Sequence, residues 1–165
     1  MLDILDMFGN IKSFFYGIGY FGEYITFTIT IYLLFSQTFN MVFYVFMFVL
    51  DRILNNKLKD IFKQERPDGP KKFLDDDHFS KKKYGMPSGH TELSFFSLMY
   101  AYLNVKRITT PIIIMIITCA IIIYERLVYR NHTLMQLLVG ALVGIALAYI
   151  SYGIYIRASG ALKIK

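Results

Sequence analysis

The sequence predicts an all-α integral membrane bundle of about five transmembrane helices, and three observations predict it. Of its 165 residues 55% are hydrophobic and only 18% are charged, where a soluble domain carries about a quarter charged residues. Stretches such as 41–50 and 111–123 have no charge on any face, whereas a helix on the surface of a soluble bundle shows a polar stripe. Apolar runs of this kind recur along the chain, and the charges gather between them.

A helix that crosses a bilayer needs about 20 predominantly apolar residues. The runs near 18–35, 39–54, 90–105, 110–124 and 132–155 meet or approach that length. Residues 1–17 mix Leu2, Ile4, Leu5, Met7 and Phe8 with Asp3, Asp6 and Lys12, a pattern that suits an interfacial amphipathic helix and equally a frayed tail. Asp3 and Asp6 occupy the place where a cleaved signal peptide is positive. The one long polar stretch, 55–86, holds Lys57, Lys59, Lys63, Arg66, an acidic run at 75–77 and a basic run at 81–83. With no internal repeat, residues 1–165 read as a single domain.

Composition also excludes some functions. The single cysteine, Cys119, lies in an apolar run, so neither a disulfide framework nor a cysteine metal site is expected, only a buried small side chain. A net charge of +6 would suggest nucleic acid in a soluble chain. In a membrane protein basic residues gather in loops, against anionic head groups or substrates, and no nucleic-acid partner is expected.

Three polar clusters remain, each at a predicted helix end. If the second helix continues past Leu54, then Asp51, Asn55, Lys59 and Lys63 share a face at four-residue spacing. Pro67 stops the helix and biases Arg66 toward extended backbone, so Lys59 and Arg66 can converge on one anion. Pro87-Ser88-Gly89-His90 immediately precedes an apolar run. Ser88 is a good N-cap type, free N–H groups at a helix N-terminus form an anion site, and a histidine there can donate a proton to a bound oxygen. In the third cluster, Arg126 is followed by His132 and Gln136, the last two one turn apart. Gly140, Gly144 and Ala148 continue the same stepping, and small residues at that spacing let membrane helices approach closely.

Taken together, Lys59…Arg66-Pro67, Pro87-Ser88-Gly89-His90 and Arg126…His132 resemble the three-part signature of the type-2 phosphatidic acid phosphatase family, over roughly residues 55–150. Three positions depart from the common pattern. Glu125 stands where the family usually has Ser, Arg130 where it often has Gly, and Gln136 where it usually has Asp. His132-Thr133-x-x-Gln136 resembles a eukaryotic branch that includes the dolichyl diphosphatases of the endoplasmic reticulum. The residues Tyr84-Gly85-Met86-Pro87-Ser88 and Asn56-x-Leu58-Lys59 are similar to that branch as well. Its second motif more often reads Pro-Ser-Ser-His, so Gly89 returns to the general family form.

The resemblance implies a chemistry. His132 would attack phosphorus and form a phosphohistidine, His90 would protonate the leaving oxygen and then activate water, and Gln136 would orient His132. Lys59, Arg66, Arg126, Ser88 and the Ser88–Gly89 backbone would hold the phosphate oxygens, with 55–86 as a polar active-site loop. No metal and no other cofactor is implied. The expected partners are membrane lipids and a lipid phosphate or diphosphate of polyprenyl, dolichyl or phosphatidate type. A phosphatase of a soluble ester and a non-catalytic binder of phosphorylated lipids are the alternatives. Lys106, Arg107, Arg157, Lys163 and Lys165 fall on the side opposite the motifs. The positive-inside rule would put those in the cytoplasm and the site outside or in a lumen, with the endoplasmic reticulum as the membrane the branch suggests.

Overall fold

The computed structural model describes residues 4–70 and 83–162, with side chains from Ser13 onward. The runs 75–77 and 81–82 and the terminal Lys163 and Lys165 lie outside the described residues. Five helices follow in order: α1 (Ile4–Leu34), α2 (Thr38–Phe62), α3 (Gly89–Val105), α4 (Thr110–Val128) and α5 (Leu134–Ala161). All five predicted runs are helical.

α3 contacts each of the other four helices and forms the centre of the bundle. Its buried residues run from Gly89 through His90, Glu92, Phe96 and Tyr100 to Ala101. Gly140 and Gly144 let α5 lie directly on it. A Cβ added at Gly140 would stand 2.7 Å from the Ser88 carbonyl oxygen, and one at Gly144 would collide with the Glu92 carbonyl. The core beneath is aromatic. Tyr44 of α2 stacks on Phe96 of α3 with ring centroids 5.8 Å apart and planes 5° apart, and Leu34, Tyr100 and Ala148 complete the cluster.

The outward faces are apolar. On α4, Ile113, Ile114, Ile116 and Ile117 are all exposed, as are Phe46 of α2 and Leu142 and Ile150 of α5. Polar atoms instead turn inward, a distribution that suits lipid as the surrounding solvent. By length and composition α2, α4 and α5 are each apolar enough to cross a membrane. α1 and α3 fall short of that measure: α3 has 17 residues, and the polar Glu23, Thr26 and Thr30 of α1 and Thr91, Glu92, Ser94 and Ser97 of α3 are buried inside the bundle.

Three boundaries differ from expectation. α1 begins at Ile4, so the segment expected as a separate interfacial helix or tail continues the first membrane helix. α2 does run past Leu54, to Phe62, because Asp51, Asn55 and Lys59 face protein and not water. Lys63 leaves that face: it caps the helix with φ at +49° and is exposed.

The alternation of helices fixes two ends. At one, the amide of Asn40 donates to Gln37 Oε1 at 2.9 Å and to Asn104 Oδ1 at 2.6 Å, tying the α1–α2 turn to the end of α3. The other end gathers the C-termini of α2 and α4 with the N-termini of α3 and α5, and all three polar motifs lie there.

Candidate active site

The loop after α2 meets the loop before α3 in a single antiparallel bridge between Glu65 and Tyr84. Gly85 N–H donates to the Gln64 carbonyl at 2.8 Å. A Cβ at Gly85 would press on Arg66 Cγ and Gln136 Oε1, so only a glycine lets these two side chains close over this loop. The Met86–Pro87 peptide is cis, and Ser88 then caps α3 in extended backbone. The Ser88 hydroxyl makes no capping bond. It accepts instead from Thr91 Oγ1 at 3.1 Å, while Ser88 N–H donates to the Gln136 carbonyl at 3.1 Å.

α5 begins with a capping box. Gln136 N–H donates to Thr133 Oγ1 and Thr133 N–H to Gln136 Oε1, both at 3.3 Å. That oxygen also lies 3.1 Å from His132 Nδ1, and the Gln136 amide nitrogen donates to the Glu65 carbonyl at 2.8 Å. One side chain therefore starts the helix, orients the histidine and anchors the first motif. With Nδ1 donating to Gln136, Nε2 carries the lone pair, 3.4 Å from Arg66 Nη1. Arg66 Nη1 also donates to the Asn131 carbonyl at 3.1 Å.

Charge around His132 has one sign. Burial first, then Arg66, Arg126 and Lys59, hold its pKa well below the usual 6.5, against a smaller opposing effect from Gln136. His132 is thus a neutral, oriented imidazole facing three cations. Lys59 donates to Asn55 Oδ1 at 2.5 Å, and the Asn55 amide donates to Glu92 Oε2 at 2.7 Å and to the Pro87 carbonyl at 3.3 Å. Asn55 thereby links the Lys59 ammonium to α3. A Cβ at Gly89 would come within 3.0 Å of Asn55 Oδ1 and 3.5 Å of Lys59 Nζ, which ties the second motif to the first. A cleft of about 290 Å³ opens beside Lys59, lined by Asn56, Asp60, Lys83 and Tyr84.

Arg126 ends α4 nearly buried, with Nε 2.7 Å from Glu125 Oε2 and its guanidinium 5.5 Å from the Tyr20 ring centre. The same ring lies 6.2 Å from that of His90. The Arg126 carbonyl accepts from both Asn131 N–H and His132 N–H, closing the turn that carries His132. Lys59, Arg66, Ser88, Gly89, His90, Arg126, His132 and Gln136 thus fall at one end of the bundle. Both histidines are on the same side.

A family model described as "PAP2 superfamily" matches residues 40–159. The chain belongs to the PAP2 superfamily. Dolichyldiphosphatase 1 of Dictyostelium discoideum is 34% identical over 110 residues, a match covering 61% of this chain and 45% of that protein. The match therefore spans less than half the length of that relative. In fold the chain is similar to the first transmembrane PAP2 type phosphatidylglycerolphosphate phosphatase from Bacillus subtilis. The TM-score is 0.66 at 20% identity, over 96% of this chain and 79% of that one. It is also similar to LpxE of Aquifex aeolicus, with a TM-score of 0.63 at 26% identity over 93% and 88% of the two chains. With the bundle's inside-out polarity, these likenesses make this PAP2 protein a multi-pass membrane protein.

The three departures from the common PAP2 pattern now have physical settings. Arg130 has φ at +54°, a left-handed conformation that glycine adopts without cost. Glu125 is directed at its neighbour Arg126 and at α1, where a Cβ on Gly19 would overlap its own Cβ and Cγ. Gln136 holds His132. Sequence reasoning missed Tyr20 and Glu23, which α1 brings to the site, and it placed Asn55 on the right face without giving it a role. A lone charge in the apolar run of α1 was the available signal for Glu23.

Proposed function

We propose that this PAP2 protein hydrolyses a lipid phosphate or diphosphate through a phosphohistidine on His132, with no metal ion. The observation that carries the reading is the posture of His132: Nδ1 engaged by Gln136 at 3.1 Å and Nε2 turned toward Arg66 at 3.4 Å. A neutral imidazole whose Nε2 lone pair points at a cation suits in-line attack once that cation turns to hold a phosphate oxygen.

In the first step the Nε2 lone pair of His132 forms the N–P bond as the P–O bond to the lipid breaks, and His90, entering the step as an imidazolium beside the bound phosphate, gives a proton to the departing oxygen and becomes neutral. In the second, water attacks phosphorus, His90 recovers a proton from it, and the N–P bond breaks to release phosphate and neutral His132. Lys59, Arg66 and Arg126, with the Gly89 N–H group, stabilise charge on the three non-bridging oxygens throughout, while Ser88 N–H is held by the Gln136 carbonyl. Asn55 holds Lys59 from behind, and Gln136 keeps His132 in one tautomer.

The substrate class rests on the relatives and on position. The Dictyostelium relative is named for a dolichyl diphosphate, the Bacillus structure for phosphatidylglycerolphosphate, and the motif end of an apolar bundle is where a lipid head group sits. A polyprenyl or dolichyl diphosphate, or a phosphatidate, fits both. Lys106 and Arg107 lie between α3 and α4, at the end away from the motifs. This supports a site on the non-cytoplasmic side, in the endoplasmic reticulum if the dolichyl reading holds. A non-catalytic lipid-binding role is favoured by one observation, that Gln136 contributes no charge to a phosphohistidine.

Vanadate-sensitive phosphate release by the purified protein in detergent, from phosphatidate and from a polyprenyl diphosphate, tests the reading. Release that His132→Ala abolishes supports it. Absence of release from both, with vanadate still bound, overturns it in favour of the binding role.

A further inference from the structure

Glu23 lies on α1, outside the stretch that the PAP2 model matches, and is 1% exposed. Its carboxylate is held by both arms of Arg52 on α2, Nη2 to Oε1 at 3.1 Å and Nη1 to Oε2 at 3.2 Å. Oε2 also faces Nδ1 of His90 at 4.0 Å. Tyr20, nearly a turn earlier, lies against the His90 ring and the Arg126 guanidinium. The height of this face is fixed by tight contact of α1 with α4, since a Cβ at Gly22 would overlap the Ile122 side chain and one at Gly19 that of Glu125.

A carboxylate inside a membrane bundle is expensive to desolvate. The Arg52 fork offsets that cost, yet a clamp between α1 and α2 could sit anywhere along the two helices. This one sits where its second lone-pair direction meets a histidine of the signature. We propose that Glu23 is a positioning residue for His90, supplied by α1 and locked in place by Arg52. The inference rests on the phosphatase reading above.

Nδ1 is turned toward the carboxylate at 4.0 Å, an ion-pair distance longer than a hydrogen bond, and Nε2 serves in this scheme as the atom that exchanges protons. Nε2–H is given to the departing lipid oxygen. The neutral ring keeps its Nδ1 proton toward Glu23, and Nε2 then takes a proton from the water that attacks phosphorus. Glu23, paired with Arg52, exchanges no proton itself in this scheme. It biases the ring's orientation and offsets the imidazolium charge, as the aspartate of a Ser-His-Asp triad does for its histidine.

The test uses the purified full chain in detergent with phosphatidate, whose leaving alkoxide needs a proton, and 4-nitrophenyl phosphate, whose leaving group does not. Glu23→Gln should lower the single-turnover rate of phosphoenzyme formation from phosphatidate about tenfold or more with KM within about twofold, slow its formation from the aryl ester far less, and recover in part as Glu23→Asp. In a His90→Ala background, Glu23→Gln should add no further loss, because one residue acts through the other. Equal loss on both esters, a change in KM alone, full additivity with His90→Ala, or wild-type activity would each overturn the proposal. If Glu23→Gln is not monodisperse, Glu23→Asp and Arg52→Lys carry the same two-ester comparison. An active His132→Ala protein would sink the phosphohistidine reading itself, whereas an inactive one beside an unimpaired Glu23→Gln would sink only this inference.

Discussion

The Gln136 side-chain oxygen lies 3.1 Å from His132 Nδ1 and accepts, in the same place, from the Thr133 backbone N–H at 3.3 Å. The orientation of the histidine and the start of α5 are thus set by one atom. An aspartate four residues after the histidine would bring charge to this position. The glutamine brings reach instead, since its amide nitrogen also spans to the Glu65 carbonyl at 2.8 Å. Gln136→Ala should therefore lower kcat without abolishing it, as loss of an orienting partner does, and cost about 1–2 kcal/mol of stability from the lost cap and hydrogen bond. Gln136→Asp should retain or raise activity, because the carboxylate still orients the ring, while losing the tie to Glu65. Single-turnover phosphoenzyme formation and thermal unfolding in detergent measure the two effects. Gln136→Ala with unchanged kcat would remove the orienting role.

The acid limb of the reaction should reflect His132. Attack needs the neutral ring, so the rate falls as pH falls through the His132 pKa. Burial and the cations Arg66, Arg126 and Lys59 hold that pKa well below 6.5. Phosphoenzyme formation should therefore persist below the pH at which an ordinary histidine becomes protonated. Arg66→Gln removes one cation, raises the pKa and should move the limb to higher pH. A limb that stays in place, measured from rapid-quench rates across pH, would show that these charges do not act on His132.

Much of this was legible in the sequence because lipid-facing surfaces are uniformly apolar. The uncharged faces of α2, α4 and α5 announced themselves. The polar faces were harder, since Asp51, Asn55 and Lys59 read as either a solvated helix end or a buried face, and only their contacts with α3 decide. The three motifs gave the site because their residues sit at helix ends that alternate between membrane faces. A lone charge in an apolar run marked Glu23, but its role was not legible: its partners Arg52 and His90 are 29 and 67 positions away, and nothing periodic links them. Arg130 was read as a departure from a glycine, and its positive φ is the reason a glycine is common there.

That conformation makes a stability prediction. A non-glycine residue held in left-handed backbone costs on the order of 1 kcal/mol. Arg130 is exposed, so Arg130→Gly should leave Tm unchanged or raise it by a few degrees, and Arg130→Val should lower it. A fall in Tm for the glycine variant would mean that the Arg130 side chain makes a stabilising contact.

Activity should survive chelation by EDTA. Around the phosphate position stand three cations and two histidines, with Glu125 paired to Arg126, and the cations already supply the charge stabilisation that a divalent ion would give. Among the described residues no group of three histidine, cysteine or acidic side chains converges as metal ligands do. Complete loss of phosphate release on chelation, restored by Mg²⁺, would replace this mechanism with a metal-dependent one.

The glycines of α5 test whether helix contact sets the site. Gly140 and Gly144 meet backbone atoms of α3, the Ser88 carbonyl at 2.7 Å and the Glu92 carbonyl closer still, and backbone cannot rotate away as a side chain can. A methyl group at either position must push α5 off α3, at a cost of about 1–3 kcal/mol. The two should differ in function. Gly140 lies against the residue that precedes Gly89 and His90, so Gly140→Ala displaces the second motif and should lower kcat more than its loss of stability explains. Gly144 lies one turn further from the site, and Gly144→Ala should lower Tm with a smaller effect on turnover. Gly153 has nothing within 4 Å and sits mid-helix, so Gly153→Ala should raise stability by about 0.5–1 kcal/mol. Thermal unfolding in detergent alongside phosphate release would measure all three. A Gly140→Ala protein with wild-type Tm and kcat would mean that α5 does not press on Ser88 as described.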